Sequence, residues 1–222
     1  MTREPKGVMI MASKEDMVRI TDAQERITHW ILAGSFLIAL ITGLGLMYHH
    51  WSIIPTIFGG YYATKWIHIF SGVMFGLSLV MAIPMWWKEC LFVEGDGKWI
   101  MKAGGYLWDA EDIPPAGKFN AGQKIFYWFV VVFGVILVVT GLIMANALSF
   151  PVVVARWAFM LHAMSVFVLA SFLMVHIYLG TIGNPGTIQA MLHGWVTRAW
   201  VSVHCPRWLE EKVDNTSSSS NS

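Results

Sequence analysis

Four of the chain's eight histidines, His29, His68, His162 and His176, sit in or at the edge of long apolar runs. Neutral imidazole can coordinate a metal through one ring nitrogen and donate its other N–H to a carbonyl or hydroxyl oxygen. Both polar atoms are then satisfied, which removes the penalty that otherwise keeps ionisable side chains out of lipid. In LHAMSVFVLASFLMVHIYLG, His162 and His176 are fourteen residues apart. An α-helix turns that spacing into ~21 Å of rise and a return to within about 40° of the same face. One helix thus presents two imidazoles in roughly one direction, at two depths.

The elements that carry them follow from the apolar runs. Hydrophobic residues make up 56% of the chain and charged residues 13%, about half the charged share of a soluble domain. Residues 29–48, 66–87, 125–145 and 157–180 each supply the ~20 apolar residues that cross a ~30 Å hydrocarbon core. None alternates as a barrel strand would, and helices are the other way to satisfy a backbone in lipid. The expected fold class is therefore all-α: an integral membrane bundle of four transmembrane helices. Residues 1–28 carry no apolar core of a cleavable leader, so the first helix is expected to direct its own insertion. No internal repeat and no second domain is evident, and the tail NTSSSSNS reads as low complexity.

Basic residues orient the bundle. Thirteen of the fifteen lysines and arginines fall in the N-terminal segment 1–28, the connection 88–124 and the tail 181–222; only Lys65 and Arg156 lie in the other connections. Both termini are therefore expected in the cytoplasm. The net charge of +1 adds nothing to this, and no nucleic-acid partner is expected. Cys90 and Cys205 fall on the same side in no metal-ligand spacing, and are expected to be free thiols. The long connection 88–124 is expected to lie along the membrane surface or to receive a partner.

Orientation gives each histidine a depth. His68 and His162 share an outer level, and His29 and His176 an inner one. That arrangement matches bis-histidine ligation of two b-type haems stacked across the bilayer. Two axial nitrogens leave no open position on the iron, which favours electron transfer over oxygen chemistry. The bland alternative for any single histidine is a bond to a neighbouring carbonyl or a place among headgroups. Four that pair by depth on three helices are harder to explain that way. His68, Gly72 and Gly76 share one face, where missing side chains leave room for a macrocycle or for ordinary close helix packing. Gly134 and Gly141 allow the same two readings. Lys65 and Arg156 lie outward of His68 and His162, where they could meet haem propionates or snorkel to headgroups. His49, His50, His193 and His204 are assigned to no haem.

ERITHW around His29, WIHIF around His68, GKFNAGQK at residues 117–124, LHA around His162, VHIY around His176 and PRW near the tail together resemble a known family. They are similar to the cytochrome b (gamma) subunit of membrane-bound respiratory formate dehydrogenases, over nearly the whole chain. The resemblance implies the same two histidine pairs as haem ligands. It also implies a site for menaquinone or another quinone beside the inner haem, with Asn120 and Gly122 lining it and His176 close to the quinone oxygen. By themselves, Asn120 and the residues after it read as a turn and helix start. Cys205 precedes PRW where the family often has histidine, which puts a docking role for that position in doubt. The N-terminal extension is longer than usual and has no functional reading.

The resemblance further implies partners: an iron–sulfur (beta) subunit and a molybdenum- or tungsten-containing catalytic (alpha) subunit that oxidises formate on the outer side. The chain would then conduct electrons inward through two haem b groups to a quinone reduced near the cytoplasmic face of the inner membrane. It leaves room for a higher oligomer. Two alternatives stay open on the residues: the cytochrome b of a nickel–iron hydrogenase or other molybdoenzyme, and a haem-free transporter or membrane anchor. Against the last stand the lack of intramembrane carboxylates and of inverted repeats.

Overall fold

The computed structural model describes residues 16–48 and 50–211. His49, most of the N-terminal extension and the serine-rich tail from Asn215 lie outside them. Four helices among the described residues are long and apolar enough to cross a membrane. They are α1 (Ala23–Met47), α3 (Tyr61–Trp86), α5 (Ala121–Ala145) and α6 (Val152–Tyr178), the last continuing into a π-helical turn, Leu179–Gly183. A short helix, α2 (Ile53–Ile57), lies in the first connection. Helix α1 packs chiefly on α3, α5 on α6, and α3 joins the two pairs through α5.

Each long helix begins four to six residues earlier than its apolar run, and in α1 and α5 polar residues start it. Asp22 and Glu25 form a reciprocal capping box on α1, with bonds of 2.8 and 2.9 Å. Asn120 and Gln123 do the same for α5, both at 2.9 Å. Such boxes satisfy two of the amide donors that a helix start leaves unpaired. Helix α3 follows Gly59 and Gly60, whose φ values of 85° and 96° suit a residue without Cβ. Several hydroxyls within the spans are also satisfied. Ser35, Thr42, Ser78 and Thr140 each donate to the carbonyl one turn earlier, at 2.6–2.7 Å, as lipid requires.

The terminal segments join in a way that apolar runs alone do not suggest. Strand β1 (Met17–Arg19) pairs antiparallel with β2 (Trp195–Thr197), aligning Val18 with Val196. Three short helices follow the last span: α7 (Thr187–Leu192), α8 (Arg198–His204) and α9 (Pro206–Leu209). Ile20, Ala190, Val196, Val201, Cys205 and Leu209 form a small apolar core beneath the ribbon.

The connection 88–124 folds over the same end of the bundle. Its helix α4 (Asp96–Met101) is held by a largely buried ion pair, Lys124 Nζ to Asp96 Oδ2 at 2.7 Å. Lys118 pairs with buried Glu25, which also accepts from the Trp86 indole at 3.0 Å. The backbone amide of Arg207 donates to the Ala116 carbonyl at 3.1 Å. The connection is thus tied to α1, α5 and the tail, yet Met101, Leu107 and Trp108 remain exposed. Lys118 and Lys124, basic residues in the orienting pattern, are consumed in these pairs.

Cys90 and Cys205 are free and buried in this terminal layer. Burial pushes both thiols up to about 12. Because the thiolate is the reactive form, neither should be alkylated by iodoacetamide at pH 8 while the protein is folded. Both should react once it is denatured, an outcome that mass spectrometry of the two peptides would check.

Candidate functional site

The four histidines meet in two pairs. His68 of α3 faces His162 of α6, with ring centres 6.2 Å apart and planes at 64°. His29 of α1 faces His176 of α6, with centres 6.1 Å apart and planes at 46°. An imidazole nitrogen bound to a metal lies ~2 Å from it, with the ring centre roughly 1 Å behind, so imidazoles on opposite sides of one metal have centres roughly 6 Å apart. Both separations fit a single metal between the rings. The two pairs are separated along α6 by the fourteen-residue step from His162 to His176, ~21 Å of helix.

Hydrogen bonds at the pair farther from the termini fix the tautomer of each ring. His68 Nδ1 lies 2.9 Å from the Ala39 carbonyl and 3.2 Å from Thr42 Oγ1. A carbonyl only accepts, so Nδ1 carries the proton. His162 Nδ1 lies 2.9 Å from Thr140 Oγ1. Thr140 spends its own proton on Ile136 O at 2.6 Å, so it accepts from His162. Both rings therefore keep an Nε2 lone pair, the form a metal needs. Glycine lets these helices approach. A Cβ on Gly43 would stand 3.0 Å from His68 Cε1, and one on Gly141 would stand 3.4 Å from His162 Cε1.

The pair nearer the termini is held by rings instead. His176 stacks on Phe126 of α5, with centres 4.5 Å apart and planes 12° apart. His29 meets Trp30 edge-on at 5.1 Å, and its buried Nδ1 has no hydrogen-bond partner among the described residues. Asn120 and Gly122 lie at the start of α5, one to two turns before Phe126. The Asn120 Oδ1 is committed to the capping box, and a Cβ on Gly122 would touch the Trp99 ring at 3.1 Å.

Of the remaining sequence candidates, Lys65 and Arg156 are exposed and make no ion pair among the described residues. The glycines divide between the two readings. A Cβ on Gly134 would press on Leu79 of α3 at 2.9 Å, and one on Gly76 on Val138 of α5 at 3.2 Å, so these serve helix packing. Gly141 borders a histidine, while Gly72 faces open space. Thr42, Gly43, Thr140 and Phe126 were not singled out by sequence reasoning. A signal was present for three of them: Thr-Gly-Leu occurs at residues 42–44 and again at 140–142. The repeat is local, and each copy cradles a histidine of the following long helix.

A family described as prokaryotic cytochrome b561 matches residues 20–194, which include both histidine pairs. The chain belongs to the prokaryotic cytochrome b561 family. Membership in this cytochrome family, with four membrane-length helices, makes it an integral membrane protein of electron transport whose family cofactor is haem b. The two histidine pairs, with Nε2 left free at His68 and His162, are a donor set that suits that cofactor. This cytochrome b561 chain is also 35% identical over 206 residues to the formate dehydrogenase cytochrome b556(fdo) subunit of Escherichia coli K12. That match covers 90% of the chain and 95% of the relative. It is 31% identical to a formate dehydrogenase cytochrome b556 subunit of Haemophilus influenzae, over 85% of the chain and 80% of the relative. The nitrate-inducible cytochrome b556(Fdn) subunit of Escherichia coli K12 is 27% identical, over 90% and 93%.

Glycine contacts supply a test of the pair farther from the termini. Gly43→Val should force the His68 ring aside and cost about 1–3 kcal/mol, the usual range for overpacking. Gly72→Ala, with no atom within 4 Å of the added Cβ, should cost nothing measurable. Reversible unfolding in mixed detergent micelles would compare the two.

Proposed function

We propose that this chain is the membrane electron-transfer and quinone-reducing subunit of a formate dehydrogenase complex, holding two haem b groups at different depths. The observation that carries the proposal is the pair of histidine–histidine separations, 6.1 and 6.2 Å, with α6 supplying one ring to each. His68 and His162 would ligate the outer haem, and His29 and His176 the inner one. Lys65 and Arg156 would serve its outer propionates. Haem iron, when bound, would supply reversible one-electron exchange, and the part of the four histidines would be to hold it away from water.

The partner assignment is supported by the names of the relatives, which are cytochrome subunits of formate dehydrogenases. An iron–sulfur subunit on the outer face, attached to a molybdenum or tungsten subunit, would deliver electrons from formate. The chain would conduct them inward to menaquinone or another quinone. Each electron then moves against ~2.3 kcal/mol per 100 mV of membrane potential. Asn120, Gly122 and His176 would line the quinone site. Phe126, stacked on His176, would add an apolar wall beside it. On this reading residues 29–180 form the haem-carrying unit in the inner membrane, with both termini in the cytoplasm.

Reduced-minus-oxidised spectra of the purified protein should show b-type haem at two per chain. His162→Ala should remove mainly the outer haem and His29→Ala the inner one. A stoichiometry of one, or none, would sink the two-site proposal. Molybdenum or tungsten in the intact complex, rather than nickel, would decide for formate dehydrogenase over a hydrogenase.

A further inference from the structure

The two histidine pairs differ in what stands behind the rings. At the outer pair both Nδ1–H groups are donated to fixed acceptors. His68 has the Ala39 carbonyl and Thr42, and His162 has Thr140, in bonds of 2.9–3.2 Å. Thr42 is fully buried and Thr140 is 5% exposed, so water does not compete for these bonds. At the inner pair neither ring has such a bond among the described residues. His29 Nδ1 is buried and unpartnered, and His176 makes ring contacts only.

An imidazole that donates its N–H becomes a more basic ligand through its other nitrogen. A more electron-rich axial ligand stabilises ferric over ferrous iron, and second-shell hydrogen bonding is one of the protein's levers on haem potential. Resting on the haem assignment above, we infer that Thr42 and Thr140 are positioning residues that set the outer site to a lower reduction potential than the inner site. The asymmetry inclines the chain toward inward transfer. One electron leaves the outer site as the inner site gains it, and no bond is made or broken.

Charges could oppose this grading, but those nearby are weakly placed to do so. Lys65 and Arg156 would raise the outer potential, yet both side chains are exposed and their fields are screened by water and salt. Glu25, one turn before His29, is neutralised by its ion pair with Lys118. The buried hydroxyls act at hydrogen-bond distance and are not screened.

Anaerobic redox titration of the haem-loaded protein, followed at the b-haem absorption, tests the inference. The wild type should show two one-electron steps, the lower of which is lost in His162→Ala. Thr140→Val should move that lower step to a more positive potential and leave the upper step in place, while Thr140→Ser should restore it. Thr42→Val should act in the same direction. It also repeats the test on the opposite ligand if Thr140→Val does not assemble. An unmoved lower step in a variant that retains two haems, or an equal shift of both steps, would overturn the grading. A wild-type preparation without b-haem absorption would overturn the ligand assignment beneath it, and this is visible before any titration begins.

Discussion

An imidazole inside a bilayer has two polar nitrogens and no water to satisfy them. Each unsatisfied group in hydrocarbon costs several kcal/mol, so a chain that places four histidines at membrane depth must answer for eight nitrogens. The architecture can be understood as that answer. Helix α6 carries two rings on one side, α1 and α3 each bring one to meet them, and the rings converge in two places. The remaining nitrogens at one level are turned to Ala39, Thr42 and Thr140. The helix pairing follows, since α1 must lie close to α3, and α5 close to α6, for those acceptors to reach.

Much of this was legible in the sequence. Spanning helices announce themselves by composition, because a twenty-residue apolar run has few other uses. The pairing of histidines by depth followed from alternating helix direction, with no contact known. The helix starts were less visible, as the runs of hydropathy begin later than the hydrogen bonding does. Asp22 with Glu25, and Asn120 with Gln123, are caps that a search for capping boxes would have found. The acceptors behind the histidines were harder. A threonine in an apolar helix usually satisfies itself on the preceding turn, as Thr42 and Thr140 also do. Only the geometry shows that the same oxygen accepts a second hydrogen bond from another helix.

The terminal layer was the least legible part. Its strands are three residues long and lie far apart in sequence, so neither propensity nor periodicity could pair them. Its charges were equally misleading taken singly. Lys118 and Lys124 count toward orientation like any other basic residue, but each is largely buried against a carboxylate. A buried ion pair gains little over apolar packing, whereas losing one partner leaves a costly unpaired charge. Their value here lies in register: Glu25 on α1 and Asp96 on α4 accept one lysine each, which fixes the long connection across two helix ends.

The β1–β2 ribbon carries a consequence for biogenesis. Residues 17–19 are made before the four membrane-length helices, but their hydrogen-bonding partners at 195–197 only after them. The terminal layer therefore cannot close until the last of these helices has been made.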